Sequence, residues 1–116
     1  MATVAANSAT ISGTTLLDAT GDVSVANTAS VFTNALTIQS DNRVALTVAL
    51  STTAGNLSID GDADNGTDTN DDVTIATGLT LAAGGELVLD ASAGNVTAGQ
   101  LILNAADGGT INDDLT

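Results

Sequence analysis

The sequence predicts an all-β chain folded as a parallel β-solenoid, and three observations predict it. Apolar-polar-apolar triplets recur, as in Leu57-Ser58-Ile59, Val73-Thr74-Ile75 and Leu79-Thr80-Leu81. Such alternation has the period of a strand with one buried face. Small-residue turns separate the triplets. A glycine stands two residues before the apolar opener at Gly21/Val23, Gly55/Leu57, Gly85/Leu87, Gly94/Val96, Gly99/Leu101 and Gly109/Ile111. Finally, one unit of triplet, Asp, turn and triplet occurs at Leu16–Val25, at Leu57–Ile75 and at Leu87–Gly99. Self-similarity of this kind marks a repeat architecture.

The period follows from equivalent residues. Val23, Val73 and Val96 share their surroundings, and the first interval divides into two rungs. Leu79-Thr80-Leu81 likewise aligns with Leu101-Ile102-Leu103. Coils of about 22–25 residues result, each with two or three short strands, and about five fit the chain. The rival fold is an antiparallel β-sandwich, which prefers longer strands at wider spacing. Helix is disfavoured because Thr and β-branched residues fill the triplets and no 3.6-residue stripe persists.

Taken in order, residues 1–15 are Ala/Ser/Thr-rich, with one weak triplet at Ala9-Thr10-Ile11. Strands are expected at Leu16-Leu17-Asp18 and Val23-Ser24-Val25. Residues 26–35 hold Val31 and Phe32 and break the pattern. It resumes at Leu36-Thr37-Ile38, Leu46-Thr47-Val48, Leu57-Ser58-Ile59, Val73-Thr74-Ile75, Leu79-Thr80-Leu81, Leu87-Val88-Leu89, Val96-Thr97-Ala98 and Leu101-Ile102-Leu103. Leu57, Ile59, Val73, Ile75, Leu79, Leu81, Leu87, Leu89, Leu101 and Leu103 are the expected core, with Thr74 and Thr80 facing solvent. Asn56, Asn95 and Asn104 are candidates for an amide ladder. The whole of residues 1–116 reads as one domain carrying an acidic loop insertion at 60–72.

Composition limits function. The 116 residues include no Cys, His, Pro, Trp or Tyr; Phe32 is the only aromatic. A core of Ala, Val, Leu and Ile suits a narrow, regular shaft. Arg43 is the only basic residue against 14 acidic ones, giving a formal net charge of −13. That charge repels nucleic acid and anionic membrane and favours cations. No charged and apolar segments of a signal peptide follow Met1, and no apolar run is long enough to span a membrane. Without Cys, His, Lys or Tyr, the usual nucleophiles and bases are missing, so no enzyme is expected.

The stretch DVTIATGLTLAAGGELVLDASAGNVTAGQLILNAADGG resembles the repeat shafts of filamentous-haemagglutinin-like and autotransporter-type bacterial adhesins. The resemblance runs from Leu46 to Ile111. It implies a right-handed parallel β-helix, an extracellular or cell-surface location, and a structural or adhesive role. It implies no catalytic residues.

One cluster stands out as a candidate site. Asp60–Asp72 reads DGDADNGTDTNDD. Calcium takes six to eight oxygen ligands, and Asp60, Asp62, Asp64 and Asp68 are the candidate ligands. The loop is not an EF-hand, because Asn65 stands where that loop needs Gly and no Glu closes it. The competing reading is a solvated corner. Hydroxyls at triplet centres (Ser24, Thr37, Thr47, Ser58, Thr74, Thr80, Thr97) would form outward rows, which makes an ice-binding solenoid a remote alternative. The expected function is a structural shaft or filament-forming subunit that associates with itself head to tail through its end coils, or that lies between flanking coils of a longer chain. The alternative is a calcium-dependent extracellular binding module.

Overall fold

The computed structural model describes residues 13–67, 69–113 and 115–116, together with the backbone of residues 2–4. It is a parallel β-solenoid, and no helix occurs among the described residues. Among the described residues fourteen strands follow one another: β1 (Ala2–Val4), β2 (Thr15–Ala19), β3 (Val23–Val25), β4 (Ser30–Phe32), β5 (Leu36–Ser40), β6 (Val44–Leu46), β7 (Leu50–Thr52), β8 (Leu57–Asp60), β9 (Val73–Ile75), β10 (Leu79–Ala83), β11 (Leu87–Asp90), β12 (Val96–Ala98), β13 (Leu101–Ala105) and β14 (Gly109–Ile111). They stack into three faces. The first is β1-β3-β6-β9-β12, the second β4-β7-β10-β13, and the third β2-β5-β8-β11-β14. Every pairing is parallel; the four rungs β3–β5, β6–β8, β9–β11 and β12–β14 each visit the first, second and third face in that order, and β1 and β2 add to the first and third faces.

Stacking fixes the register. Val73 pairs with Val96, as the repeat predicts. The interval from Val23 to Val73 does not divide evenly, however. Val23 pairs with Val44, a step of 21, and Val44 with Val73, a step of 29. On the third face, Leu36 pairs with Leu57 after 21 residues and Leu57 with Leu87 after 30. The plain coil is thus shorter than the even division suggested, and the acidic insertion accounts for the longer steps.

The core is a set of columns running along the shaft. One holds Leu17, Ile38, Ile59, Leu89 and Ile111; another holds Ser30, Leu50, Leu81 and Leu103. Inner members such as Ile38, Ile59, Leu81 and Leu89 are fully buried. Seven of the ten expected core residues are buried. Leu79 and Leu101 are half-buried and Leu103 is 41 % exposed. The reason for Leu103 is position: β13 is the last strand of its face, so no next rung covers it. Thr74 and Thr80 face outward but are half-buried by their neighbours on adjacent rungs.

Two further expectations change. The stretch that broke the pattern contains β4, which pairs with β7. Leu46-Thr47-Val48 is not a strand unit, since β6 ends at Leu46 and Thr47 turns the corner, donating Oγ1 to the Val25 carbonyl at 3.2 Å. Ala9-Thr10-Ile11 lies outside the described residues.

Candidate functional site: an acidic corner

The third face hands the chain back to the first face at one corner. Between β5 and β6 this takes three residues, between β11 and β12 five, and between β8 and β9 the twelve residues 61–72. The insertion loops out from a root bonded to neighbouring rungs. The Gly61 N–H donates to the Asp90 carbonyl at 2.9 Å, and the Ala63 N–H to the Ser40 carbonyl at 2.9 Å. Gly61, Asp62 and Asp71 are buried, whereas Asp64, Asn65, Thr69 and Asn70 are exposed.

The acidic side chains mostly serve this root. Asp62 is 1 % exposed, and its Oδ2 accepts from the Ala93 N–H, one rung on, at 2.6 Å. Asp72 Oδ1 accepts from the Asn95 N–H at 2.9 Å. Asp60 Oδ1 accepts from the Asp62 N–H at 3.0 Å, and Asp64 Oδ1 from the Gly66 N–H at 3.0 Å. These are short Asp-to-backbone links of the kind that hold turns, two of them reaching to the next coil. Asp62 Oδ1 is buried without a hydrogen-bond partner. Among the described residues, no three acidic side chains gather as a metal site. Asp68, the fourth candidate ligand, lies outside the described residues.

Beside the insertion runs a polar column that the sequence reading did not assemble. Asp18, Gln39, Asp60 and Asp90 pair in register along the third face. Asn112 extends the column, its Nδ2 donating to Asp90 Oδ2 at 3.1 Å. Amides therefore alternate with carboxylates except at Asp60 and Asp90. Burial raises the Asp60 carboxyl above its ordinary pKa, and the charges of Asp90 and Asp62 add to the rise against the lowering hydrogen bond from the Asp62 N–H. A carboxyl raised in the folded state binds protons that the unfolded chain has lost, so it costs stability at neutral pH. That cost fades as pH falls through the raised folded value, and it is absent below the ordinary carboxylate value. Asp60→Asn keeps the acceptor for the Asp62 N–H and adds a donor toward Asp90. Its melting temperature is expected to exceed the wild-type value at pH 7, with the gain shrinking toward pH 3. A gain independent of pH, or a loss at pH 7, would overturn the like-charge account.

A second column precedes the first face: Asp22, Arg43, Asp72 and Asn95. The backbone bonds of Val23, Val44 and Val73 to the carbonyls of Arg43, Asp72 and Asn95 define it. Arg43 Nη2 donates to Asp22 Oδ2 in an ion pair between rungs. The one basic side chain of the protein is therefore placed between acids in a stack. The asparagines do not form the single ladder expected of them. Asn56 accepts from the Glu86 N–H at 3.0 Å, Asn95 follows Asp72, and Asn104 pairs with Ala82 on the second face.

The outward hydroxyls are likewise divided among faces. Ser24, Ala45, Thr74 and Thr97 share one row on the first face; Thr37, Ser58 and Val88 share another on the third. A shallow groove of about 400 Å³ crosses the first face over Ala45, Thr74 and Thr97, continuing past Thr77 and Gly99. Alanines and threonines line it with Leu46 and Ile75, and no charged group converges there. The chain matches no family model, no curated protein and no solved structure.

Proposed function

We propose that this protein is a structural shaft, a length of β-solenoid that stacks end to end with copies of itself into an extracellular filament at a bacterial surface. One observation carries the reading: the β13–β14 end of the core is bare. Leu103 ends a buried column at 41 % exposure, and Leu101, Ala105 and Ile111 of the same two strands are only partly buried against the core. Among the described residues, nothing pairs with the outer edges of β13 and β14. Open parallel edges over uncovered Leu and Ile are what another rung would satisfy. The resemblance to adhesin shafts supports the surface location.

Net charge opposes association, so salt should promote it. Light scattering is expected to rise with added salt as the Debye length falls from about 10 Å at 0.1 M to about 3 Å at 1 M. A chain that stays monomeric at high concentration and high salt overturns the filament reading and leaves a shaft segment capped by other coils.

A second reading, a calcium-binding module, is favoured by one observation: buried Asp62 Oδ1 has no protein partner beside the Asp60–Asp90 stack. Calorimetric titration at millimolar calcium tests it. Absence of heat, with an unchanged melting temperature, overturns it.

A further inference from the structure

We propose that the joint between two copies has a defined register: the second copy's β1 adds to β12, its β2 adds to β14, and Leu115–Thr116 lifts away to admit it. This rests on the shaft reading and adds the partner surface and its alignment.

The first argument is the spacing between faces. Thirteen residues separate Ala2 from Thr15, Val23 from Leu36, Val44 from Leu57 and Val96 from Gly109 at equivalent positions of the first and third faces. Only the rung after the acidic insertion differs, with fourteen from Val73 to Leu87. The first and last rungs therefore have the same spacing. Setting Ala2 over Val96 sets Thr15 over Gly109 without a slip, so both faces add in one motion.

The second argument is what meets across that joint. Leu17 and Ile111 are the two half-buried ends of one core column, and the joint closes Leu17 over Ile111. In the polar column, Asp18 arrives over Asn112, an amide over which a carboxylate stacks without like-charge repulsion. The joint therefore repeats the amide–acid alternation seen at Asp18–Gln39–Asp60.

The third argument concerns what now covers β12. Leu115 bridges Val96 in parallel. The Thr116 N–H donates to the Val96 carbonyl at 3.0 Å, and the Ala98 N–H donates to the Thr116 carbonyl at 2.9 Å. These are the bonds an incoming strand would make. Leu115–Thr116 and the second copy's β1 compete for one edge, so the short segment restrains assembly.

The absence of cysteine allows a direct test. Leu16 and Thr110 are outward residues of β2 and β14 in one row. Within a molecule they are four rungs apart, about 19 Å at the usual strand spacing. Across the joint they become neighbours at about 4.8 Å, inside the span of roughly 4.4–6.8 Å that a disulfide bridges. Mild oxidation of the Leu16→Cys/Thr110→Cys protein is expected to give a ladder of covalent multimers on a non-reducing gel. Thr37→Cys/Thr110→Cys, one rung out of place, is expected to give none. Adding Thr116→Pro, which removes the donor to Val96, should raise the yield about five-fold, the factor equivalent to ~1 kcal/mol for one net backbone hydrogen bond. Scattering that shows association while the Leu16/Thr110 pair stays uncross-linked overturns this register and leaves the shaft reading intact. Equal ladders from both cysteine pairs overturn the register too. A yield unmoved by Thr116→Pro overturns the exchange at β12. No association in any variant overturns both proposals.

Discussion

Leu89→Ala is expected to destabilise the protein by about 2–5 kcal/mol, the cost of a large-to-small change in a packed core. Leu89 is 0 % exposed and sits between Ile59 and Ile111 in one column. The column is held by backbone bonds on both sides, so the rungs cannot close over the lost volume. Leu103→Ala is the internal comparison. It removes the same atoms from the partly exposed last position of a neighbouring column and should cost well under half as much. Thermal unfolding of the two variants separates the readings. Equal losses would mean that the columns do not carry the core. An association assay adds a second contrast, because Leu103 is at the bare end and Leu89 is not. Leu103→Ala should weaken assembly more than it weakens folding.

Gly94→Ala is expected to cost about 1–3 kcal/mol, the range for forcing extra atoms into a packed site. A Cβ at residue 94 would fall 1.8 Å from the Asp71 carbonyl oxygen and 2.3 Å from its carbon. Those are backbone atoms of the acidic insertion one rung away, and they have little freedom to move. The turn carrying Gly94 is also tied down, since the neighbouring Ala93 and Asn95 N–H groups donate to Asp62 and Asp72. Gly21→Ala is the control: its added Cβ meets nothing within 4 Å. The Gly94 variant should lose protection of the Ala93 and Asn95 amides in hydrogen exchange before it loses the rest of the fold. A Gly94 variant as stable as Gly21→Ala would mean that the insertion is not packed on the following turn.

These two sites show what could be read from the sequence. Leu89 was legible because its triplet alternates cleanly and recurs at Ile59. The strands β4 and β7 were not, and the cause is chemical. Ser30 and Thr52 occupy inward positions, with Thr52 Oγ1 donating to the Gly55 carbonyl at 2.9 Å and accepting from the Gly84 N–H at 3.2 Å. Polar residues that satisfy corners from inside erase the alternation on which strand recognition depends. The coil length was blurred for another reason: an insertion in one rung was averaged over two. With the shorter step, Asp22 and Arg43 fall one rung apart, as do Asp18 and Gln39, and both polar columns become visible. The acidic cluster was legible as a loop, but the use of its oxygens was not. Asp62 and Asp72 bond to residues about 23 to 31 positions away, a relation that exists only once the rungs are stacked.

The corner between the third and first faces has a consequence for how such a protein can change. It accommodates three, five or twelve residues while the strands on either side stay in step. Chain length there is decoupled from the lattice of rungs, as long as the root at Gly61, Asp62, Asp71 and Asp72 is kept. The segment between Asp64 and Asn70 is accordingly a natural display position. A foreign peptide grafted at that point would be carried on the outside of the shaft, and in a filament it would recur once per subunit, as evenly spaced cargo on a scaffold that takes no notice of it.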